Sequence, residues 1–220
     1  LMMRTYAEDT TATHPCVLVT PDRVLANRVA LLLQRWNIAV DDSAGVPLAQ
    51  TPLAQWLLLL AQVLATALEP VAFLSLLKNA YAAGGADWPQ HAPAYRTFVR
   101  LLDRHILRGP RPEEGFAPLL LRAAARPDIA AGLAHLQNMF APALAATDTL
   151  ARLRALISLA EQLAATPEKS GPARVWNGEA GEAMATVLAA LLEHADILPD
   201  LDWQGCADVL ATAMEGRRQL

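Results

Sequence analysis

Arginines recur at every fourth position of one segment and form the clearest chemical pattern in this 220-residue sequence. The residues are Arg96, Arg100, Arg104 and Arg108, with Arg111 just beyond them, and we call these five the arginine stripe. On an α-helix, at about 100° per residue, the first four cover an arc of about 120°. Guanidinium groups bind phosphates in a forked geometry, so one hypothesis is that the stripe binds phosphate groups, such as those of a DNA backbone. The alternative is a solvated face paired with acids such as Asp103 and Glu113.

No catalytic, cofactor or metal motif accompanies the arginine stripe. A P-loop needs a Gly-Lys-Ser/Thr run, and a restriction-type nuclease core needs an acidic residue two positions before a lysine. Neither Lys78 nor Lys169, the only lysines, has such neighbours. The five histidines are scattered and lack the spacing of zinc ligands. Asp41 and Asp42 could ligate a metal, but a strand end running into a turn is favoured, because adjacent strand residues point to opposite faces. The sequence therefore predicts a chain without enzymatic activity.

Helices must position the stripe, and the composition predicts that helices dominate the chain. Hydrophobic residues make up 54% of the sequence, and many of them are Ala and Leu, which are strong helix formers. In the segment 92–108 the apolar residues group opposite the arginines, at Tyr95, Phe98, Val99, Leu102 and Ile106. Thr51-Pro52 predicts a helix start, with Thr51 as the cap. Further helices are expected at about 51–68, 70–79, 113–125, 127–141, 147–166, 176–194 and 202–217.

The N-terminal part has a different pattern, which predicts a strand–helix–strand unit. Residues 16–19 and 38–41 are short apolar runs typical of buried strands. Between them Thr20-Pro21-Asp22 predicts a helix start, with Thr20 as the cap and Pro21 at the first helical position. Two parallel strands make a poor sheet by themselves, so the unit resembles the edge of a larger one. We therefore expect a mostly α chain, with a small α/β piece over 1–82 and a helical domain over 83–220.

Bulk properties exclude several other classes of protein. The net charge of −4 excludes a general polycation, so DNA binding needs a local basic patch. Residues 53–68 carry no charge but are shorter than the roughly 20 residues that span a bilayer. No signal peptide is predicted from the residues given, and the two cysteines, Cys16 and Cys206, are expected to be free thiols. These features predict a cytoplasmic protein without a membrane partner.

An unusual set of short runs lies within residues 16–52. The runs are Val17-Leu18-Val19-Thr20-Pro21-Asp22-Arg23, Arg35-Trp36, Ile38, Val40-Asp41-Asp42-Ser43-Ala44-Gly45, Pro47-Leu48 and Thr51-Pro52. These runs resemble the AddB family, whose members are subunits of the bacterial AddAB helicase–nuclease. Asn27 and Asn37 depart from the family pattern, where Arg and Gly are expected.

The resemblance implies a place for this chain within a larger assembly. Residues 1–82 would correspond to the start of the second RecA-like (2A) helicase domain, and residues 83–220 to the helical 2B insertion. The nuclease domain and iron–sulfur cysteines of the family lie in a C-terminal region that has no counterpart here. The implied function is a non-catalytic, DNA-contacting segment of a double-strand-break repair and recombination complex, with an AddA-like helicase subunit as partner. The alternative is a helical protein–protein interaction module that does not bind DNA.

Overall fold

Helices form nearly all of the regular structure in the described part of the chain, as the composition predicts. The computed structural model describes residues 5, 16–38, 40, 45–215 and 218–219. Within these residues the prediction of a mostly α chain is confirmed. The helices are α1 (Arg23–Gln34), α2 (Pro52–Ala65), α3 (Pro70–Lys78), α4 (Tyr95–Leu102), α5 (Phe116–Arg122), α6 (Pro127–Leu144), α7 (Thr149–Ala164), α8 (Gly171–Val175), α9 (Gly178–Glu193) and α10 (Trp203–Met214).

The predicted strand–helix–strand unit is not formed by the residues described there. Residues 16–20, Ile38 and Val40 belong to no strand, while Ala39, Asp41 and Asp42 lie outside the described residues. Val17 and Val19 are 71% and 89% exposed, so this run is not the buried strand that its apolar character predicts. The physical reason is that a parallel strand needs hydrogen-bonded neighbours, which no described residue supplies.

The described strands lie elsewhere and are very short. Strand β1 (Val46–Pro47) pairs antiparallel with β2 (Arg218–Gln219), and Val46 lies opposite Gln219. A turn of 3₁₀ helix follows β1 at Leu48–Gln50. This pair joins the two ends of the helical unit that contains the other nine helices described.

The helix starts follow local capping rules, although one cap is not the predicted residue. Asp22 caps α1 by accepting hydrogen bonds from the backbone N–H groups of Val24 and Leu25, while Thr20 Oγ1 accepts one from Asp22. The prediction of Thr20 as the cap is therefore wrong by two residues. At α2 the predicted cap is confirmed, because Thr51 Oγ1 accepts from the Ala54 N–H at 3.3 Å and Pro52 begins the helix.

The chain divides into two compact units between Gly45 and Val46. Helix α2 lies in the middle of the second unit and packs against α3, α7 and α10. Its side chains Trp56, Leu57 and Leu60 are fully buried. No helix in the described part of the chain combines the length and the apolar character needed to cross a bilayer.

The segment at Gly84 is a packed turn. The N–H groups of Ala83 and Gly84 both donate to the carbonyl oxygen of Leu163, and His135 Nε2 lies 2.9 Å from the Gly84 oxygen. Gly84 has a φ of +87°, and a Cβ there would lie 2.5 Å from Cδ2 of Tyr95. Only glycine fits this turn, which fixes the start of α4 against the core.

Candidate nucleic-acid interface

Helix α4 presents the stripe because its other face is buried. The predicted inward residues Tyr95, Phe98, Val99, Leu102 and Ile106 are all at most 8% exposed. Phe98 packs into the space that Gly132 of α6 leaves open, since a Cβ at Gly132 would lie 2.5 Å from the Phe98 ring. This contact holds α4 close to the core and turns its arginines to the outside.

The helix does not run as a uniform α-helix to residue 108. A π-helical turn covers Asp103–Leu107, and the Arg108 N–H donates to the Asp103 carbonyl at 3.1 Å. Arg108 itself has extended backbone, with a φ of −77° and a ψ of 145°. Because a π turn spaces its hydrogen bonds five residues apart, the predicted four-residue register of the stripe ends within it. Arg108 therefore extends from the helix end.

A groove of about 630 Å³ lies beside α4, and we call it the first groove. It is lined by Lys78, Thr97, Arg100, Leu101, Asp103, Arg104 and Arg108. Four cationic side chains and one carboxylate thus face the same space. Lys78 was not among the predicted site residues. It is the last residue of α3 and lies 25 positions before Asp103. Only the packing of α3 against α4 brings it into the groove.

Asp103 compensates part of this positive charge. Its Oδ2 accepts a 2.7 Å hydrogen bond from Lys78 Nζ, and its Oδ1 lies 3.6 Å from Arg108 Nε. The hydrogen bond from Lys78 is the main reason that the pKa of Asp103 lies below its ordinary value, and Arg108 lowers the pKa further. The carboxylate is therefore ionised at neutral pH and already occupied by two cations.

Arg100 and Arg104 are the uncompensated members of the groove. Both are exposed, and neither forms an ion pair with any carboxylate of the described residues. Arg100 Nε donates to the Arg96 carbonyl at 3.3 Å. Glu113, the other acid expected near the stripe, likewise forms no ion pair within the described part. These two guanidinium groups are the part of the stripe best placed for an external anion.

Arg96 and Arg111 contact the two ends of α3 and lie outside the first groove. Arg96 donates from Nη1 to the Lys78 carbonyl at 3.1 Å and from Nη2 to the Ala80 carbonyl at 3.5 Å, which satisfies acceptors at the helix C-terminus. Arg111 Nη2 lies 2.7 Å from Glu69 Oε1, and Glu69 caps the N-terminus of α3 through the Ala72 N–H. The stripe is thus divided between residues that line the first groove and residues that contact the ends of α3.

A second groove, of about 250 Å³, lies next to the C-terminal end of α3. It was not predicted from the sequence. Its lining residues are Ala80, Tyr81, Lys169, Ala173, Arg174 and Asn177. Arg174 Nη2 donates to the Ala80 carbonyl at 3.3 Å, and Nη1 donates to the Ala164 carbonyl. No spacing rule relates residues 80 and 174, so no local pattern could have revealed this groove.

The described residues contain no group of three His, Cys, Asp or Glu side chains that could hold a metal ion. Cys16 is exposed and Cys206 is buried, and both are free thiols. Burial raises the pKa of Cys206, which keeps it protonated at neutral pH. Both grooves present cationic side chains, which bind anionic ligands.

Comparison with known proteins adds no assignment to this geometry. No protein-family model, no curated protein and no solved structure matches the chain. The resemblance to the AddB family therefore rests on the residues between 16 and 52 that carry it.

Proposed function

We propose that the first groove binds phosphate groups of DNA, and that the chain acts as a non-catalytic, DNA-contacting segment of an AddB-like subunit. The observation that carries the proposal is the pair Arg100 and Arg104. Both guanidinium groups are exposed in a groove with three further charged residues, and neither has a carboxylate partner among the described residues. Like charges at this spacing repel one another unless an anion lies between them.

The chemistry of this groove suits a phosphate group. A guanidinium fork donates two parallel hydrogen bonds to phosphate oxygens, and Lys78 adds a further positive charge to the groove lining. The chain as a whole has a net charge of −4, so attraction of DNA depends on the local field of this groove. Because such contacts reach only the backbone, binding is expected to be independent of DNA sequence.

The resemblance to AddB supplies the wider context of the proposal. In that context the chain contributes DNA contacts within an ATP-dependent helicase–nuclease for double-strand-break repair and recombination, and the AddA-like helicase subunit is its partner. Such a complex acts in the cytoplasm. The chain then contributes binding, while chemistry is carried by other parts of the complex.

A salt series on the full chain tests the phosphate contacts. The logarithm of the DNA association constant falls with the logarithm of salt concentration, with a slope of about 0.9 for each phosphate neutralised. Replacing both arginines, R100A/R104A, is expected to reduce that slope by about 1.8 if each contacts one phosphate. The fold is expected to survive, because both side chains are exposed, Arg100 on α4 and Arg104 in the π turn that follows it.

The matched control is R154A, which removes one exposed arginine from α7 that lines neither groove. It is expected to leave the slope unchanged, so that loss of a distant charge is separated from loss of a contact. Equal slopes for wild type and R100A/R104A would refute the phosphate site. Circular dichroism of each variant shows whether the helices are intact.

A protein–protein interaction module without DNA binding is the alternative function. It is favoured by the exposed apolar side chains of α1, among which Val24 is 68% and Leu31 is 63% exposed. A partner that covers them would bury apolar surface, which is the main driving force of protein association. Under this alternative the arginine variant and wild type bind DNA equally weakly, so the same salt series separates the two functions.

A further inference from the structure

We infer that the second groove is an additional phosphate subsite, and that one DNA molecule crosses from the first groove into it. The subsite is formed by Lys169, Arg174 and Asn177. This inference rests on the proposed function, because it assigns a second contact to the same ligand. It concerns residues that lie far from the arginine stripe in the sequence and that no motif connects with DNA.

A short piece of backbone separates the two grooves. Lys78 lines the first groove, and Ala80, two residues later, lines the second. The carbonyl oxygen of Ala80 accepts hydrogen bonds from both Arg96 and Arg174, at 3.5 Å and 3.3 Å. Two guanidinium groups therefore converge on the backbone oxygen of Ala80, which lies two residues after Lys78 of the first groove.

The second groove has positive charge and no carboxylate in its lining. Lys169 is exposed, and its ammonium forms no ion pair within the described residues. Arg174 donates to two backbone carbonyls, which fixes its position but leaves its formal charge uncompensated. An anion in this groove would thus meet one mobile cation and one fixed cation.

Asn177 adds a polar group at the same place. It directly precedes α9, but its side chain makes no capping hydrogen bond to that helix. Its amide is therefore available to a ligand, and the N-terminal end of α9 carries a partial positive charge. Glu179 lies in the first turn of α9 but does not line the groove.

The two lysines of the chain divide between the grooves. Lys78 lines the first and Lys169 lines the second, in a chain that otherwise uses arginine for positive charge. The exposed Lys169 ammonium, on a long flexible stem, can follow a phosphate as it moves. Lys78 is held by Asp103 at 2.7 Å, and Arg96 and Arg174 are held by the Ala80 carbonyl. A ligand with several linked phosphates matches this sequence of mobile and fixed cations, and a single phosphate cannot occupy both grooves.

The experiment extends the salt series to K169A on the full chain, with one duplex oligonucleotide as the probe. Lys169 is chosen because its side chain is exposed, whereas Arg174 holds two carbonyl groups and its loss would disturb the fold. K169A is expected to lower the salt slope by about 0.9, and K169R is expected to retain the wild-type slope. The triple variant R100A/R104A/K169A is expected to lose about 2.7, the sum of both effects.

The outcomes separate the two proposals. If R100A/R104A lowers the slope while K169A equals wild type and R154A, the second subsite is refuted and the proposed function stands. If no variant differs from wild type, both are refuted. If K169A changes the number of DNA molecules bound per chain without changing the slope, the grooves bind separate ligands and the inference of a shared strand is wrong.

Discussion

Helices α1 and α2 each have a Thr-Pro dipeptide at or just before their start and carry many large apolar side chains, yet their environments differ. In α2, Leu53, Trp56 and Leu57 are at most 1% exposed. In α1, Leu25 and Leu32 are 44% and 46% exposed, although Leu33 is buried. The capping chemistry is local and similar in both helices. A side-chain oxygen, of Asp22 in α1 and of Thr51 in α2, accepts hydrogen bonds from backbone N–H groups of the first turn. Local sequence thus makes the helix, and neighbouring helices determine whether its apolar face is covered.

The largest expected effect is a difference in unfolding free energy between a leucine truncation in α2 and one in α1. Leu57→Ala in α2 removes a fully buried side chain and is expected to cost about 2–5 kcal/mol of unfolding free energy. Leu32→Ala in α1 removes a half-exposed side chain and is expected to change it by at most about 0.5 kcal/mol. Urea denaturation followed by circular dichroism measures both. Equal losses would mean that α1 is buried as deeply as α2 in solution, and the contrast would fail.

The caps give an intermediate effect. Thr51→Ala removes the hydroxyl that accepts from the Ala54 N–H and donates to the Leu48 carbonyl, so a loss of about 1 kcal/mol is expected. Asp22→Ala removes the corresponding cap of α1 and is expected to reduce helix content while the main unfolding transition stays in place. Thr51→Ser keeps the hydroxyl and serves as the control. A shift of the main transition by Asp22→Ala would show that α1 unfolds together with the rest of the chain.

The smallest expected effect is the electrostatic contribution of Asp103 to the free energy of unfolding, in the unit that contains α2. Because Lys78 and Arg108 lower the pKa of Asp103 below its ordinary value of 3.8, ionised Asp103 stabilises the folded state. This contribution is present above pH 3.8 and is lost as the pH falls through the lowered pKa. Thermal melts of wild type and Asp103→Asn are therefore expected to differ slightly at pH 7 and to converge in acid. The same difference at both pH values would exclude the charge as its cause.

The sequence predicted those features of the site that depend on one helix. The apolar face of α4 follows from the positions of Phe98 and Leu102, and an amphipathic helix places the arginines on its other side. The five arginines were predicted as one surface, but Arg96 and Arg111 bind groups at the ends of α3. The π turn at Asp103–Leu107 also has no signature in the residue pattern. Periodicity identified the face but could not identify the partners of each side chain.

The predicted strands failed for a related reason. Val17 and Val19 have strong strand preference, but a strand is stable only when a neighbour completes its hydrogen bonds, and the described residues contain none beside them. The turn at Gly84 also depends on a distant residue. The Gly84 N–H donates to the carbonyl oxygen of Leu163, which lies 79 positions away from Gly84.

The sequence alone determined the helical character of the chain, the cap at Thr51 and the outward face of α4, because these depend on residues within one or two turns. Only the tertiary structure decided which cations share a groove. Lys78 joins Arg100 through the packing of α3 on α4, and Arg174 joins Ala80 across 94 positions of the chain. These contacts form only when distant parts of the chain pack together, as Phe98 of α4 packs against Gly132 of α6.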